Sequence, residues 1–506
     1  MTVYKRPGVY ISERLLPAPI AVTGTAQAAG AVVGTFASGP TTATYVSSFY
    51  EFTRIFGGYN AIYPASFEIG AFFQNGGREL YVKRILPADA AAAGVSISRA
   101  TGSGSVITVA ARDKGTDGNN LRVQLSAGTA GAGYYNLTVY KEGVAGTSGD
   151  VTNDVILETY DNLILTTATS SDYMETVVNT ISQYITVDVT DAVNAPALTV
   201  FPLVGGSNGG TIVEADFNDT VTGYQKEFDK IDRPLVVFFP ALDVLMGANT
   251  ATTIVASAIS WANLDGKHFV VAETPANRTV AQALSSAAAI SGYSNSAVYF
   301  PHYLITDPVG RSSSSIRTIG PAGAIAGLYL TTDAVSGPFK APAGIGTTVQ
   351  GAIALERTFS SAELDSMNVA STPVNPIRQI PGAGISVMGA RTLKQDGTAN
   401  KYVNMRRSLI FVRKKLSDLS QFALFENNDE KLWERINTAF TSFLSDYRNQ
   451  GGLRGGTPAE AFFVKCDAEN NPDNLIAQGQ VNIEVGVALQ YPAEFVIITL
   501  SQKTAN

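Results

Sequence analysis

The sequence has little of what catalysis and metal binding draw on. Among 506 residues there is one cysteine, Cys466, and there are two histidines, His268 and His302. A single cysteine excludes an intrachain disulfide, and these three residues cannot build a His-rich zinc site. A carboxylate-only Mg2+ or Ca2+ site stays open, although no EF-hand-like spacing is present. Charged residues are only 16% of the chain, which argues against a disordered or nucleic-acid-coating protein. The net charge is −7 and no long basic stretch follows, so no nucleic acid is expected as a partner. No apolar run reaches the length of a membrane span, and no direct membrane insertion is expected. Met1–Tyr10 lacks the basic and apolar regions of a secretory signal, so the chain is expected to fold in cytosol.

What is abundant is glycine, 47 residues, alongside Ala, Thr, Ser and Val. That composition suits strands, tight turns and close packing. The length allows several domains with cores of their own. Residues 1–22 read as an arm: Val9 and Ile11 alternate with Tyr10, and Pro17 and Pro19 then disfavour helix. Residues 23–90 read as a first α/β part, with helices over Ser48–Phe56 and Pro64–Asn75, each stopped by a Gly-Gly pair. Residues 91–215 carry short strand runs between Gly, Asp and Asn turns, as an inserted β-rich outer domain would. Residues 216–360 return to continuous apolar strands alternating with helical stretches, the pattern of a sheet covered on both faces.

Residues 361–493 carry two amphipathic helices. In the first, Met405, Leu409, Val412, Leu416 and Leu419 recur at helical spacing. In the second, Leu432, Ile436, Phe440, Phe443 and Tyr447 form the apolar face, with Asn427 and Glu430 as an expected capping box. Residues 494–506 read as a C-terminal strand arm. The fold class is therefore α/β mixed with α+β: a multidomain chain with a two-ended α/β core, an inserted β-rich domain and extended N- and C-terminal strand arms.

Four features invite a chemical reading, each with a plainer one beside it. Gly205-Gly206-Ser207-Asn208-Gly209-Gly210 has the glycines of a phosphate cradle but no Lys after it, and a turn or domain joint accounts for it. His302 near Asp307 lies at a strand end, but no GxSxG nucleophile accompanies it, and a packed histidine accounts for it. Cys466 ends an alternating strand, as a buried inert thiol does. Asp467 to Asp473 offers side-chain oxygens to a cation, or simply an Asx-stabilised turn. No cofactor and no catalytic residue are expected. The basic residues Arg406, Arg407, Arg413, Lys414 and Lys415 read either as a solvated helix face or as a docking surface for an acidic partner. A strand at each chain end must find a sheet edge, in its own subunit or in a neighbour's.

Several stretches, in order, resemble the contractile phage tail sheath family. They are RPGVYISE, GTFASGP, FYEFTRIFGGY, AFFQNGGRELYVKRI, GTDGNNLRVQL, GPFKAPAG, NPIRQIPGAGISVMGARTL, YVNMRRSLIFVRKKL, FALFENNDEKLWERI, GGLRGGTPAEAFFVKCD and GQVNIEVGVALQYPAEFVIITL. The resemblance is weakest between about 126 and 230. It implies a structural protein and not an enzyme, one that stacks as six-membered rings in a helix around a tail tube. The implied partners are other copies of the chain, the tube protein, and baseplate and tail terminator proteins. The implied location is the virion tail, assembled in the host cytoplasm, or a related injection particle. Val9, Tyr10 and Ile11, and Phe495, Val496, Ile497 and Ile498, would be the strand arms pairing with neighbours. Arg406, Arg407, Arg413, Lys414 and Lys415, with Lys431 and Arg435 of the next helix, are the candidate tube-facing residues. A remote alternative is an α/β nucleotide-binding enzyme, against which the absence of any complete phosphate or dinucleotide motif counts.

Overall fold

The computed structural model describes residues 27–143, 151–218, 223–290, 292–310, 312, 314–395 and 399–494. Val9, Tyr10, Ile11 and Phe495 to Ile498, the two expected arm strands, lie outside the described residues.

The centre of the larger part is one eight-stranded sheet. Its strand order is Gly384–Val387, Asn375–Ile380, Ser296–Phe300, Phe269–Glu273, Leu235–Phe238, Ala29–Gly34, Leu80–Arg84, Thr44–Val46. The six inner strands are parallel, and an antiparallel strand closes each edge. The inner strands Ala29–Gly34, Leu235–Phe238 and Ser296–Phe300 are buried at every position. That is why they are unbroken apolar runs: both faces are covered, so alternation would bury polar side chains.

One face holds the helices Ala248–Asp265 and Val280–Ala289, whose Ile254, Ala258, Ile259 and Ala283 pack into a single core with Val237, Val270 and Val298. The helix Val280–Ala289 starts at a full capping box, with Thr279 Oγ1 taking the Gln282 N–H and Gln282 Oε1 taking the Thr279 N–H. The helices Ala65–Gln74 and Ala322–Ser336 pack on each other. They meet through glycine: a Cβ on Gly323 would stand 2.2 Å from the Glu68 carbonyl oxygen, and one on Gly327 would stand 2.4 Å from that of Phe72. The backbones therefore approach as only Gly permits.

The sheet crosses boundaries expected from sequence. It takes strands from 23–90, from 216–360, and from the stretch after 361, where Asn375 and Pro376 pair with Tyr299 and Phe300. Parallel pairing at that distance leaves no local mark, since the residues that pair are far apart in the chain.

Between Leu80–Arg84 and Leu235–Phe238 the chain forms two antiparallel sheets. One orders Ala92–Ser98, Ser105–Lys114, Ile185–Val189; the other orders Val200–Pro202, Leu121–Ala127, Tyr135–Lys141, Val155–Leu163. They share a core that includes Ile97, Val109, Val123, Leu137 and Val187. Arg84 fastens this region to the main sheet. Fully buried, it donates to the carbonyls of Phe36, Gly39 and Lys114 at 3.1, 2.8 and 2.8 Å.

The chain divides into two units by packing, residues 28–407 with 492–494, and residues 408–491. The division falls within the helix Val403–Ser420. Among the described residues no helix is long and apolar enough to cross a membrane.

Candidate functional site

The C-terminal unit is built from helix and hairpin-like pairing. The helix Glu430–Asn449 buries Leu432, Trp433, Ile436, Phe440, Leu444 and Tyr447. Its cap is Asp429, whose carboxylate accepts the Leu432 N–H at 3.0 Å. The cap thus falls at Asp429, two residues after the expected Asn427, and with Leu432 three residues on the expected capping box does not form. Trp433 Nε1–H donates to Asn428 Oδ1 at 2.8 Å, which frees the indole to be buried. Leu432, Trp433, Ile436 and Phe440 pack with Cys466 and with Leu416, Leu419, Val464 and Val485.

Two short strands complete this unit. Phe462–Lys465 pairs antiparallel with Glu484–Val487, in a sheet of only these two strands. Among the described residues neither has a second full strand beside it, and just past the second strand Leu453 bridges Leu489. A two-stranded sheet is marginal by itself, and open edges present unpaired N–H and C=O groups to any extended segment.

The turn between these strands accounts for the Asx-rich stretch. Asp467 Oδ1 accepts the N–H groups of Glu469 and Asn470 at 2.9 and 3.3 Å. Buried Asn471 gives Nδ2–H to the Asn482 carbonyl at 3.0 Å and takes the Asn482 N–H at 2.6 Å. The side chains are spent on the backbone, as the turn reading expects. Cys466 is buried, and burial pushes its thiol up, which suppresses the reactive thiolate.

The seven basic candidates do not form one face. Arg407 is buried and paired with Asp333, with its guanidinium 4.6 Å from the Tyr329 ring centroid. Its side chain therefore does not lie on the surface of the subunit. Lys414 is tied to Asp418 at 2.6 Å. Arg406 and Lys415 are half-buried, whereas Arg413, Lys431 and Arg435 are exposed. Lys431 and Arg435 lie four residues apart on one helix, hence on one face. Arg435 lies 4.8 Å over the Phe422 ring and 3.9 Å from Glu426.

The remaining chemical candidates resolve into structure. Asn208 in the glycine loop takes the Thr116 N–H at 3.1 Å and donates to Tyr63 Oη at 3.0 Å, so the loop is a joint. His302 Nε2 lies 2.8 Å from the Thr274 carbonyl, while Asp307 pairs with Arg317 at 2.9 Å; the two are not a dyad. Sequence reasoning missed a grouping of Asp229, Asp265 and His268, whose ligand atoms fall within 4.8 Å of one another. His268 Nδ1 accepts the Leu235 N–H at 3.2 Å, which puts the ring proton on Nε2, 3.0 Å from Asp265 Oδ2. Neither ring nitrogen then offers a lone pair to a metal.

The comparisons with known proteins find similarity to tail sheath proteins. Residues 395–503 match the family model described as the phage tail sheath C-terminal domain. The tail sheath protein of Vibrio phage KVP40 is 30% identical over 165 residues, covering 32% of this chain and 23% of that protein. That of Enterobacteria phage T4 is 25% identical over 165 residues, covering 32% of this chain and 24% of its own length. The matches thus span about a quarter of the curated relatives. Among solved structures, the contracted helical sheath of the anti-feeding prophage matches with TM-score 0.59 at 20% identity, covering 99% of this chain and 100% of that one. A sheath tail protein from Listeria innocua matches with TM-score 0.63 at 12% identity, covering 92% and 95%. The fold is that of sheath subunits from contractile devices. Over the matched part of the chain the sequence similarity is to tail sheath proteins of contractile phages.

Proposed function

We propose that this chain is the polymerising subunit of a contractile tail sheath, a structural protein and not an enzyme. The observation that carries the reading is the two-stranded sheet of the C-terminal unit, which among the described residues has no third strand, within a stretch that matches the sheath C-terminal domain. The extended arms 1–22 and 494–506 supply strands that an open edge of a neighbouring copy accepts. Each added strand links subunits by backbone hydrogen bonds while leaving the joint free to turn.

On this reading the copies stack as six-membered rings around a tail tube, bounded by baseplate and tail terminator proteins, in a virion assembled in the host cytoplasm. The extended lattice is metastable. Contraction lets subunits rotate nearly as rigid bodies and bury more surface, so a small gain per copy, repeated through the lattice, drives the tube through the envelope without nucleotide. Arg413, Lys431 and Arg435 are the exposed basic residues left to meet the tube. A second reading, the sheath of a phage-derived injection particle, draws on the likeness in fold to the anti-feeding prophage and to an extracellular contractile injection system.

Electron microscopy of the purified protein tests the reading: long hollow cylinders are expected. Deleting residues 1–16 is expected to leave a folded monomer that does not polymerise. Normal cylinders from the truncated chain would overturn exchange through the first arm. Particles carrying a DNA-filled head, or none, decide between the two contractile devices.

A further inference from the structure

We propose that Glu68 and Glu273 share a single proton, and that this proton locks the helix Ala322–Ser336 to the helix Ala65–Gln74 and to the end of the strand Phe269–Glu273, giving the α/β core a pH-sensitive latch.

The geometry sets two carboxyl groups against one helix N-terminus. Glu68, on the helix Ala65–Gln74, is buried and takes the Ala241 N–H at 2.9 Å. Glu273, the last residue of its strand, takes the Ala322 N–H at 3.0 Å. The two carboxyl groups are close enough to influence each other's ionisation, and the Gly323 N–H favours the charged form of Glu68. Glycine permits this approach: a Cβ on Gly320 would stand 2.1 Å from a Glu273 carboxyl oxygen. Yet Glu68 Oε2 is buried with no donor. Two carboxylates in contact have acceptors only, and a proton between them supplies the missing donor.

The surroundings favour one proton over two charges. The titratable groups facing the pair are Asp243 from the helix Leu242–Met246, Tyr303 and His302, with Tyr59 beyond Tyr303. None of these is a lysine or arginine, and buried Tyr303 Oη makes no hydrogen bond of its own. Burial pushes the Glu68 carboxyl up to about 8, with Asp243 adding to the rise, against the backbone N–H groups. Burial also raises Glu273 well above its ordinary value, with Glu68 adding to it and His302 opposing. Glu273 is half-buried and borders a cavity of about 40 Å3 shared with Asp243 and Thr274. That volume admits water, and with it a route for the proton.

The sign follows from linkage. Between the usual glutamate value of 4.5 and the raised values of the buried pair the folded state holds a proton that the unfolded chain has released. Stability therefore falls as pH rises through that window, and beyond it two like charges are left in contact. The pair bridges two helices and a strand, so its second ionisation separates those three elements.

The experiment follows thermal unfolding of the full chain from pH 5 to pH 9 for wild type, Glu68→Gln and Glu273→Gln. A falling Tm is expected for wild type, and a flatter profile for Glu68→Gln, which should be the more stable protein at pH 9. Parallel profiles for wild type and both variants would overturn the proposal. Should a variant fail to fold, infrared spectroscopy of the wild type decides. The carbonyl stretch of a buried protonated carboxyl is expected at pH 6 and should vanish by pH 9, and its absence at pH 6 overturns the proposal equally.

Discussion

Arg407 meets Asp333 at two points, with Nη1 2.9 Å from Oδ1 and Nη2 on Oδ2, and both side chains are buried. The guanidinium also lies over Tyr329, whose hydroxyl is 2.5 Å from that of Tyr299. A residue that reads as part of a basic surface is therefore an internal fastener between the start of the helix Val403–Ser420 and the helix Ala322–Ser336.

Removing one member leaves the other charged and unpaired in the interior. Arg407→Ala is expected to cost about 3–5 kcal/mol. Arg407→Lys should recover only part of that, because an ammonium cannot make the two-point fork. Chemical denaturation of the two variants beside the wild type measures both.

Charge reversal at Lys431 and Arg435 should behave in the opposite way. Both residues are exposed, and Arg435 has only a long pair with Glu426. The double variant with Glu at both positions is expected to unfold within about 1 kcal/mol of wild type. If these residues meet the tube, sheath formation on tubes should weaken, and the salt dependence of assembly should fall. Cosedimentation with purified tubes at two salt concentrations reads this out, and unchanged assembly would remove the pair from the tube-facing set.

Gly486 stands opposite Phe463 in the two-stranded sheet. A Cβ on Gly486 would come within 2.1 Å of the Phe463 ring, so the ring covers the glycine. Gly486→Val is expected to displace Phe463 and deform the ladder. The packing around Trp433 should survive, since neither residue belongs to that cluster. Loss of cylinders with unchanged Trp fluorescence and helical circular dichroism is the expected outcome.

Glu494 is held by Arg391 through two contacts of 2.7 Å each, and by the Tyr402 hydroxyl at 3.1 Å. Burial opposes its ionisation, but these partners outweigh it and hold the carboxyl below the usual glutamate range. Its stabilisation is present above the unfolded value near 4.5 and is lost as pH falls through the lower folded value. Acidification, or Glu494→Gln at neutral pH, should release this contact. Faster hydrogen exchange around Arg391 and Tyr402 is the expected signal.

Local patterns carried much of the fold. The helix Phe49–Phe56 begins where the sequence puts it, because Ser48 accepts the Glu51 N–H and Phe52 and Phe56 recur on one face. The strands between 92 and 202 follow the alternation of their residues and the Gly and Asn turns between them. The candidate surface was less legible. Arg407 and Lys431 carry their charge in sequence alike, and only one of them has a buried carboxylate waiting 74 residues away.

What the sequence determined by itself was the set of elements, the paucity of catalytic groups and the family phrases, since caps, periodicity and turns act within a few residues. What only the tertiary structure decided was the pairing of distant segments: one sheet drawn from three stretches, Arg407 closed on Asp333, and Glu68 facing Glu273. Those choices depend on strand order and on burial, and burial turns the same ionisable side chain from a solvated charge into a fastener or a proton holder.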